Sequence, residues 1–304
     1  MRLSPRSAIG AALAACLALT ASAGAEEARF AGSFTWRSEL ADFGGFSGLE
    51  LSEDGTRFTA ISDRTRIVTG RIERAGGKIT GVVPDGPLRL LRGTNGEQQP
   101  LNLGDSEGLA IGADGRIYVS FEGVGRVAAY DTPDLAIALP RPEAFDRLQS
   151  NSGLEALAID AKGNLYALPE RSGDLTRPFP VWRFDGTRWG TAFHIPRRGG
   201  FLPVGADFGP AGRFYVLERV FTGYAFRSRV RRFTLEQGQV IQEETLFQSV
   251  PLRHDNLEGL SVWRDGDGAI RLTMISDDNF NGLQRTELVE YTVPVPLASR
   301  RADP

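Results

Sequence analysis

Glu107-Gly108-Leu109, then Ala113-Asp114-Gly115, then Ile117-Tyr118-Val119-Ser120-Phe121-Glu122 reads as an apolar strand, a glycine turn, a second apolar strand and a closing acid. The same plan returns four more times. Ser47-Gly48-Leu49 leads through Glu53-Asp54-Gly55 to Ala60-Ile61-Ser62-Asp63. Glu155-Ala156-Leu157 leads through Ala161-Lys162-Gly163 to Ala167-Leu168-Pro169-Glu170. Gly205-Ala206-Asp207 leads through Pro210-Ala211-Gly212 to Tyr215-Val216-Leu217-Glu218, and Glu258-Gly259-Leu260 through Asp265-Gly266-Asp267-Gly268 to Met274-Ile275-Ser276-Asp277.

Glycine in such a turn supplies the positive φ that a tight hairpin demands. The turn glycines Gly55, Gly115, Gly163, Gly212 and Gly266 recur about every fifty residues, and further strand-like stretches follow, at 126–131, 181–184 and 229–235. An inner hairpin plus two outer strands is the size of one propeller blade. The chain is therefore expected to be an all-β β-propeller of four-stranded blades. Five hairpins imply five blades, with six as the alternative if residues 67–91 hold a degenerate extra one. Residues 29–36 are placed to close the ring by joining the last blade beside 288–293.

The rest of the chain narrows the function classes. It has 304 residues, 41% of them hydrophobic, and a formal net charge of −3, so a large core can be buried and nothing electrostatic favours nucleic acid. In residues 1–25, Arg2 and Arg6 precede an apolar run from Ala8 to Leu19, and small residues follow up to Glu26. That is the plan of a secretory signal, too short for a permanent span, so a periplasmic or secreted protein is expected. Leu13-Ala14-Ala15-Cys16 also matches a lipoprotein cleavage box, which is the alternative. Residues 26–296 read as a single propeller domain and 297–304 as a tail, with no membrane span and a monomeric state expected. Cys16 is the only cysteine, so the mature chain has no thiol for a disulfide, a nucleophile or zinc. His194 and His254 alone cannot build a histidine-rich metal site, although His254 falls near the expected mouth. No nucleophile elbow, phosphate loop, dinucleotide fingerprint or EF-hand loop occurs.

The acids carry the chemistry. In a blade the first strand lines the channel and the second runs back, so the start of one and the end of the other share a face. Glu107, Glu155 and Glu258 each sit eight residues before their turn glycine, and Asp63, Glu122, Glu170, Glu218 and Asp277 close the second strands. Both sets should crowd one mouth. In repeats one and four Ser47 and Val204 take the inner position, and Glu50 and Asp207 come three residues later, which reverses side-chain direction in an ideal strand. Clustered carboxylates raise each other's pKa, and a hard cation such as Ca²⁺ relieves the repulsion. The candidate ligands are Glu107, Glu155, Glu258, Asp63 and Asp277, with Asn279 and Asn281 as further oxygen donors unless they belong to an Asx turn. Arg64, Arg171 and Arg219 directly follow Asp63, Glu170 and Glu218, which suits structural pairing as well as a role toward an anion.

Gly44-Gly45-Phe46-Ser47-Gly48-Leu49 with Ala60-Ile61-Ser62-Asp63 resembles the opening of the bacterial phytase-like proteins, described as having esterase-like activity of phytase. Asp105-Ser106-Glu107-Gly108-Leu109-Ala110, Gly153-Leu154-Glu155-Ala156-Leu157, Phe214-Tyr215-Val216-Leu217-Glu218-Arg219, Asn256-Leu257-Glu258-Gly259-Leu260 and Ile275-Ser276-Asp277-Asp278-Asn279-Phe280 fit the same pattern in order. The closing Gln284-Arg285-Thr286-Glu287-Leu288 fits too, so the resemblance spans nearly the whole mature chain. It implies an extracytoplasmic hydrolase acting on a small-molecule phosphoester or ester. In the scheme expected here Ca²⁺ bridges the acids and the phosphate, Arg64, Arg171 or Arg219 clamps the phosphate, and an unliganded glutamate among Glu155, Glu170 and Glu218 is the general base. The alternatives are a non-catalytic binding propeller with a structural ion, and a carboxylesterase or lactonase on the same scaffold.

Overall fold

The inner strands read as nearly continuous apolar runs because both faces of each blade are covered by a neighbouring blade. The computed structural model describes residues 27–100, 103–148 and 153–294; the expected signal segment 1–25 with Cys16, and the expected tail 297–304, lie outside them. Strand β1 spans Arg29–Thr35. Blade one follows as β2 Phe46–Leu51, β3 Arg57–Ser62, β4 Arg66–Ala75 and β5 Lys78–Pro84, with a short β6 Arg89–Leu90 beside β4. Blade two is β7 Ser106–Ile111, β8 Ile117–Phe121, β9 Arg126–Tyr130 and β10 Ile137–Ala138; blade three is β11 Leu154–Ile159, β12 Leu165–Pro169, β13 Phe179–Phe184 and β14 Trp189–Ile195. Blade four is β15 Leu202–Gly209, β16 Arg213–Phe221, β17 Phe226–Glu236 and β18 Gln239–Gln248. Blade five, β19 Asn256–Arg264, β20 Ile270–Asp277 and β21 Glu287–Val293, takes β1 as its fourth strand.

All pairings are antiparallel, and five blades close the ring. Residues 67–91 hold no sixth blade; they supply the outer strands of blade one. β1 pairs with β21 from Arg29↔Thr292 to Thr35↔Glu287, which covers what would be an open sheet edge. Gly55, Gly115, Gly163 and Gly212 adopt φ of 67°, 81°, 82° and 68° in their turns, whereas the fifth turn places Gly268, not Gly266, in that region with φ 81°.

The core is divided among the clefts between blades. In β3, Phe58 and Ala60 face blade five while Ile61 faces blade two, as strand alternation requires. Trp36 stacks on Phe46 at 5.1 Å and meets Phe58 edge-on at 5.4 Å, so the residue after the closing strand seals the junction of last and first blades. At the axis the inner strands approach so closely that only about 10 Å³ stays open between Ser47, Gly48, Val204, Gly205 and Gly259. The two mouths are therefore separate wells.

Candidate active site: an acidic mouth with one built-in cation

Each inner strand begins with the same irregularity. Pairing skips one residue between Phe46 and Gly48, Leu154 and Ala156, Pro203 and Gly205, and Leu257 and Gly259, and two between Ser106 and Leu109. A bulge leaves its extra residue unpaired and re-aims the side chain. The residues so displaced include Ser47, Glu107, Glu155, Val204 and Glu258. The glycine that follows has a packing reason: a Cβ on Gly205 would lie 2.4 Å from the Glu258 carbonyl oxygen, and one on Gly108 2.6 Å from the Leu157 nitrogen. The Glu-Gly-Leu signature thus joins an aimed acid to the close approach of neighbouring backbones.

The second strands corroborate four closing acids and correct the fifth. Opposite the strand starts stand Ser62, Phe121, Pro169, Glu218 and Ser276. The next residue in each blade is Asp63, Glu122, Glu170, Arg219 or Asp277. Glu218 is therefore one position out of line and turns away from the mouth. It is fully buried, accepting from Arg229 Nε at 2.7 Å and Arg231 Nε at 2.8 Å, and Arg231 reaches on to Glu243 at 2.7 Å. Counting seven residues from the turn glycine, as from Gly115 to Glu122 and from Gly163 to Glu170, reaches Arg219, but the same count from Gly55 stops at Ser62, so only the strand register identifies the member.

Arg219 lies among the acids as a counter-ion. It donates to Asn256 Oδ1 at 2.5 Å and to Glu258 Oε1, and lies 3.6 Å from Glu170 Oε1. Burial works against its charge, but Glu258, Glu155, Glu170 and Glu107 outweigh it and hold the guanidinium above its ordinary value. Arg171, half exposed, bonds Glu170 at 3.3 Å, and Arg64 instead stacks on Phe280 at 3.4 Å.

All five expected metal ligands meet at this mouth, and burial dominates their electrostatics. It raises Glu107 and Glu155 well above the carboxylate range, helped first by Glu155 for the former and by Glu170 for the latter. Glu258 is raised by burial too, with Arg219 and Asn256 opposing. Asp277 is pushed to about 8 by burial and then Glu258, and Asp63 to about 7 by burial and then Asp105. The tightest oxygen cluster among the described residues is a different trio: Asp105, Glu107 and Glu122 offer oxygens all within 4.8 Å of one another. Asp105 and Glu122 were not among the expected ligands. Burial followed by Asp105 takes Glu122 to about 7.

By register, Asp105, Glu107 and Glu122 of blade two match Asn256, Glu258 and Asp277 of blade five. The blade-five trio receives Arg219 from the preceding blade. In the same register the blade-two trio receives Asp63, whose Oδ1 is buried without a hydrogen bond.

Other expectations resolve locally. Asp278 accepts from Gly45 N at 2.9 Å, Phe280 N at 3.0 Å and Thr286 Oγ1 at 2.9 Å, while Asn281 caps Leu283 N at 3.1 Å, so this stretch is the Asx-rich turn. His254 is buried against Tyr291, Nε2 to hydroxyl 2.8 Å, and burial followed by Arg253 pushes it down to about 4. Glu50 and Asp207 do belong elsewhere: with Ser261 they line a cavity of about 590 Å³ at the opposite mouth.

The chain is similar to several solved structures. Virginiamycin B lyase from Staphylococcus aureus is 16% identical with a TM-score of 0.42, covering 89% of this chain and 76% of that one. The PQQ-bound aldose sugar dehydrogenase of Streptomyces coelicolor is 13% identical with a TM-score of 0.44, over 86% and 98%. Hydrazine synthase of Kuenenia stuttgartiensis is 16% identical with a TM-score of 0.40 over 82% of this chain, which spans only 61% of the hydrazine synthase chain. No curated protein matches. The phytase-like family model, described as esterase-like activity of phytase, matches residues 41–280, and the bulged Glu-Gly-Leu strands and closing acids fall inside that span: the chain belongs to the phytase-like family.

Proposed function

We propose that this chain is an exported, Ca²⁺-assisted phosphoester hydrolase working at the acidic mouth. The observation that carries the reading is the contrast between two equivalent carboxylate sets, one holding a guanidinium and the other facing a further acid. A buried acid cluster without a counter-ion either stays protonated or takes up a cation. Oxygens within 4.8 Å of one another, all from carboxylates, suit a hard ion with ligand distances of about 2.3–2.6 Å. Asp105, Glu107 and Glu122 would hold it, with Asp63 beside them. Bound there, Ca²⁺ supplies the positive charge that lets phosphate enter an acidic well and polarises the attacking water.

The remaining roles belong to side chains on the other half of the mouth. Arg219 and the half-exposed Arg171 flank Glu170 and are placed to grip phosphoryl oxygens. Glu170 is the acceptor for the proton of the incoming water. Glu155, kept protonated further up the pH scale by burial and Glu170, is the donor to the leaving alcohol as the P–O ester bond breaks. Phosphate release from 4-nitrophenyl phosphate, with Ca²⁺ and with a chelator, is the test. Ca²⁺-dependent release is expected, and none in excess Ca²⁺ overturns the reading.

A specific observation favours an ester as the second substrate class. Leu175, Tyr224, Leu252 and Leu283 stand exposed on loops at the strand ends that carry the acids, and Phe221 is exposed at the end of β16. Such a rim suits a substrate with an apolar portion, and turnover of 4-nitrophenyl butyrate without phosphatase activity would select it. If chelation lowers the Tm and neither substrate turns over, the mouth is a binding site only.

A further inference from the structure

A cavity of about 760 Å³ opens on the flank of blade two, away from the acidic well. It exists because β10 has only two residues, so the outer strand stops short, and residues from Gly93 to Pro100 together with Leu103 line the uncovered part of the blade. The floor is apolar, formed by Phe121, Ala128, Ala136, Ala138 and Leu139. Two polar groups converge on it. Arg126 donates to the neutral oxygens of Gln99, Leu103 and Val124 and lies 4.1 Å over the Phe121 ring, and no carboxylate among the described residues bonds it. Arg141 alongside is already paired with Asp146, and Glu97 at the rim bonds Asn95. The Tyr130 hydroxyl lies buried beside Gln99 without a well-formed hydrogen bond among the described residues.

We propose that this cavity is a second ligand site, for a small amphipathic carboxylate. The apolar tail lies among Ala128, Ala136, Ala138 and Leu139, and the carboxylate takes the Arg126 guanidinium and the Tyr130 hydroxyl. The volume falls in the range of small-molecule sites, about 300–1,000 Å³, and a few convergent polar groups on an apolar lining are their usual makeup. A guanidinium matches a carboxylate in geometry as well as charge. Because Arg126 also holds the Leu103 carbonyl, two residues before Asp105, the ligand would sit where Leu103 is fastened to the blade.

Calorimetric titration of the full chain with octanoate, octanamide and octylammonium tests this. The titrations are run in chelator, so that the outcome does not depend on the metal reading of the mouth. Octanoate is expected to bind at least about tenfold more tightly than octanamide, the difference one charge-assisted hydrogen bond makes, and octylammonium not to bind. Arg126→Gln should abolish that preference. Ala138→Trp, on the exposed short strand, should block all binding without touching Arg126, which keeps the test valid if the arginine variant misfolds. Equal binding of octanoate and octanamide, no binding of octanoate, or binding that Ala138→Trp leaves intact overturns the proposal.

Discussion

Arg219 and Asp63 hold the same register in different blades, and their opposite charges divide the mouth into a neutralised half and an uncompensated half. Arg219→Asp should therefore convert the Asn256, Glu258 and Asp277 set into a second cation site, raising Ca²⁺ stoichiometry by calorimetry from one to two. Glu107→Gln should weaken Ca²⁺ binding about tenfold or more, since it removes one charged ligand. Glu218→Gln is the control. It leaves Arg229 and Arg231 short of their buried partner, so a loss of about 3–5 kcal/mol is expected in denaturant unfolding, with Ca²⁺ affinity unchanged. The titrating groups give the chelated protein a pH dependence with a definite sign. Asp277 near 8, and Asp63 and Glu122 near 7, hold protons in the folded chain that the unfolded chain releases around pH 4. Their contribution is complete below about pH 4 and is lost as pH rises through about 7–8. His254, pushed to about 4, acts oppositely, favouring the fold above about pH 6.5 and losing that contribution as pH falls toward 4. The Tm of chelated protein should fall between pH 6.5 and 8, and Ca²⁺ should restore most at the alkaline end; a flat profile would contradict the carboxylate account.

The bulged inner strand is the element that turns a repeat into a site. It rotates one acid into the mouth and follows it with a residue too small to collide with the next blade. Gly205→Ala forces a methyl to within 2.4 Å of the Glu258 carbonyl, so a loss of about 1–3 kcal/mol and a lower Tm are expected. The same change at Gly212, where nothing lies within 4 Å, meets only backbone strain at φ 68° and should cost about 1–2 kcal/mol. Much of this element is legible as text: the strands, their turns and the spacing of Glu107, Glu155 and Glu258 follow from alternation and glycine. The bulge is not, because it adds one unpaired residue without a residue type of its own. Repeat spacing alone therefore omits Asp105 and puts Glu218 in the mouth, because one residue of register decides which face a side chain takes.

Across the whole molecule, the ring depends on a strand that comes first in sequence and last in space. A variant lacking residues up to Thr35 leaves β21 with an open edge and Trp36 without its anchor, so the Tm should fall by roughly 10 °C or more with aggregation, read by light scattering. The closed waist also separates two chemistries, since Glu50 and Asp207 serve the far well and cannot join the acids of the mouth. From the residues alone came the fold class, the five blades, the ring closure and the gathering of acids at one end, because alternation and periodic glycine are properties of the chain itself. Only the tertiary structure decided which acids share an oxygen cluster, that Arg219 is the fifth member of the closing set, and that blade two carries a cavity on its flank. Those depend on register and on what a neighbouring blade presents, and the sequence of one strand does not contain its partner.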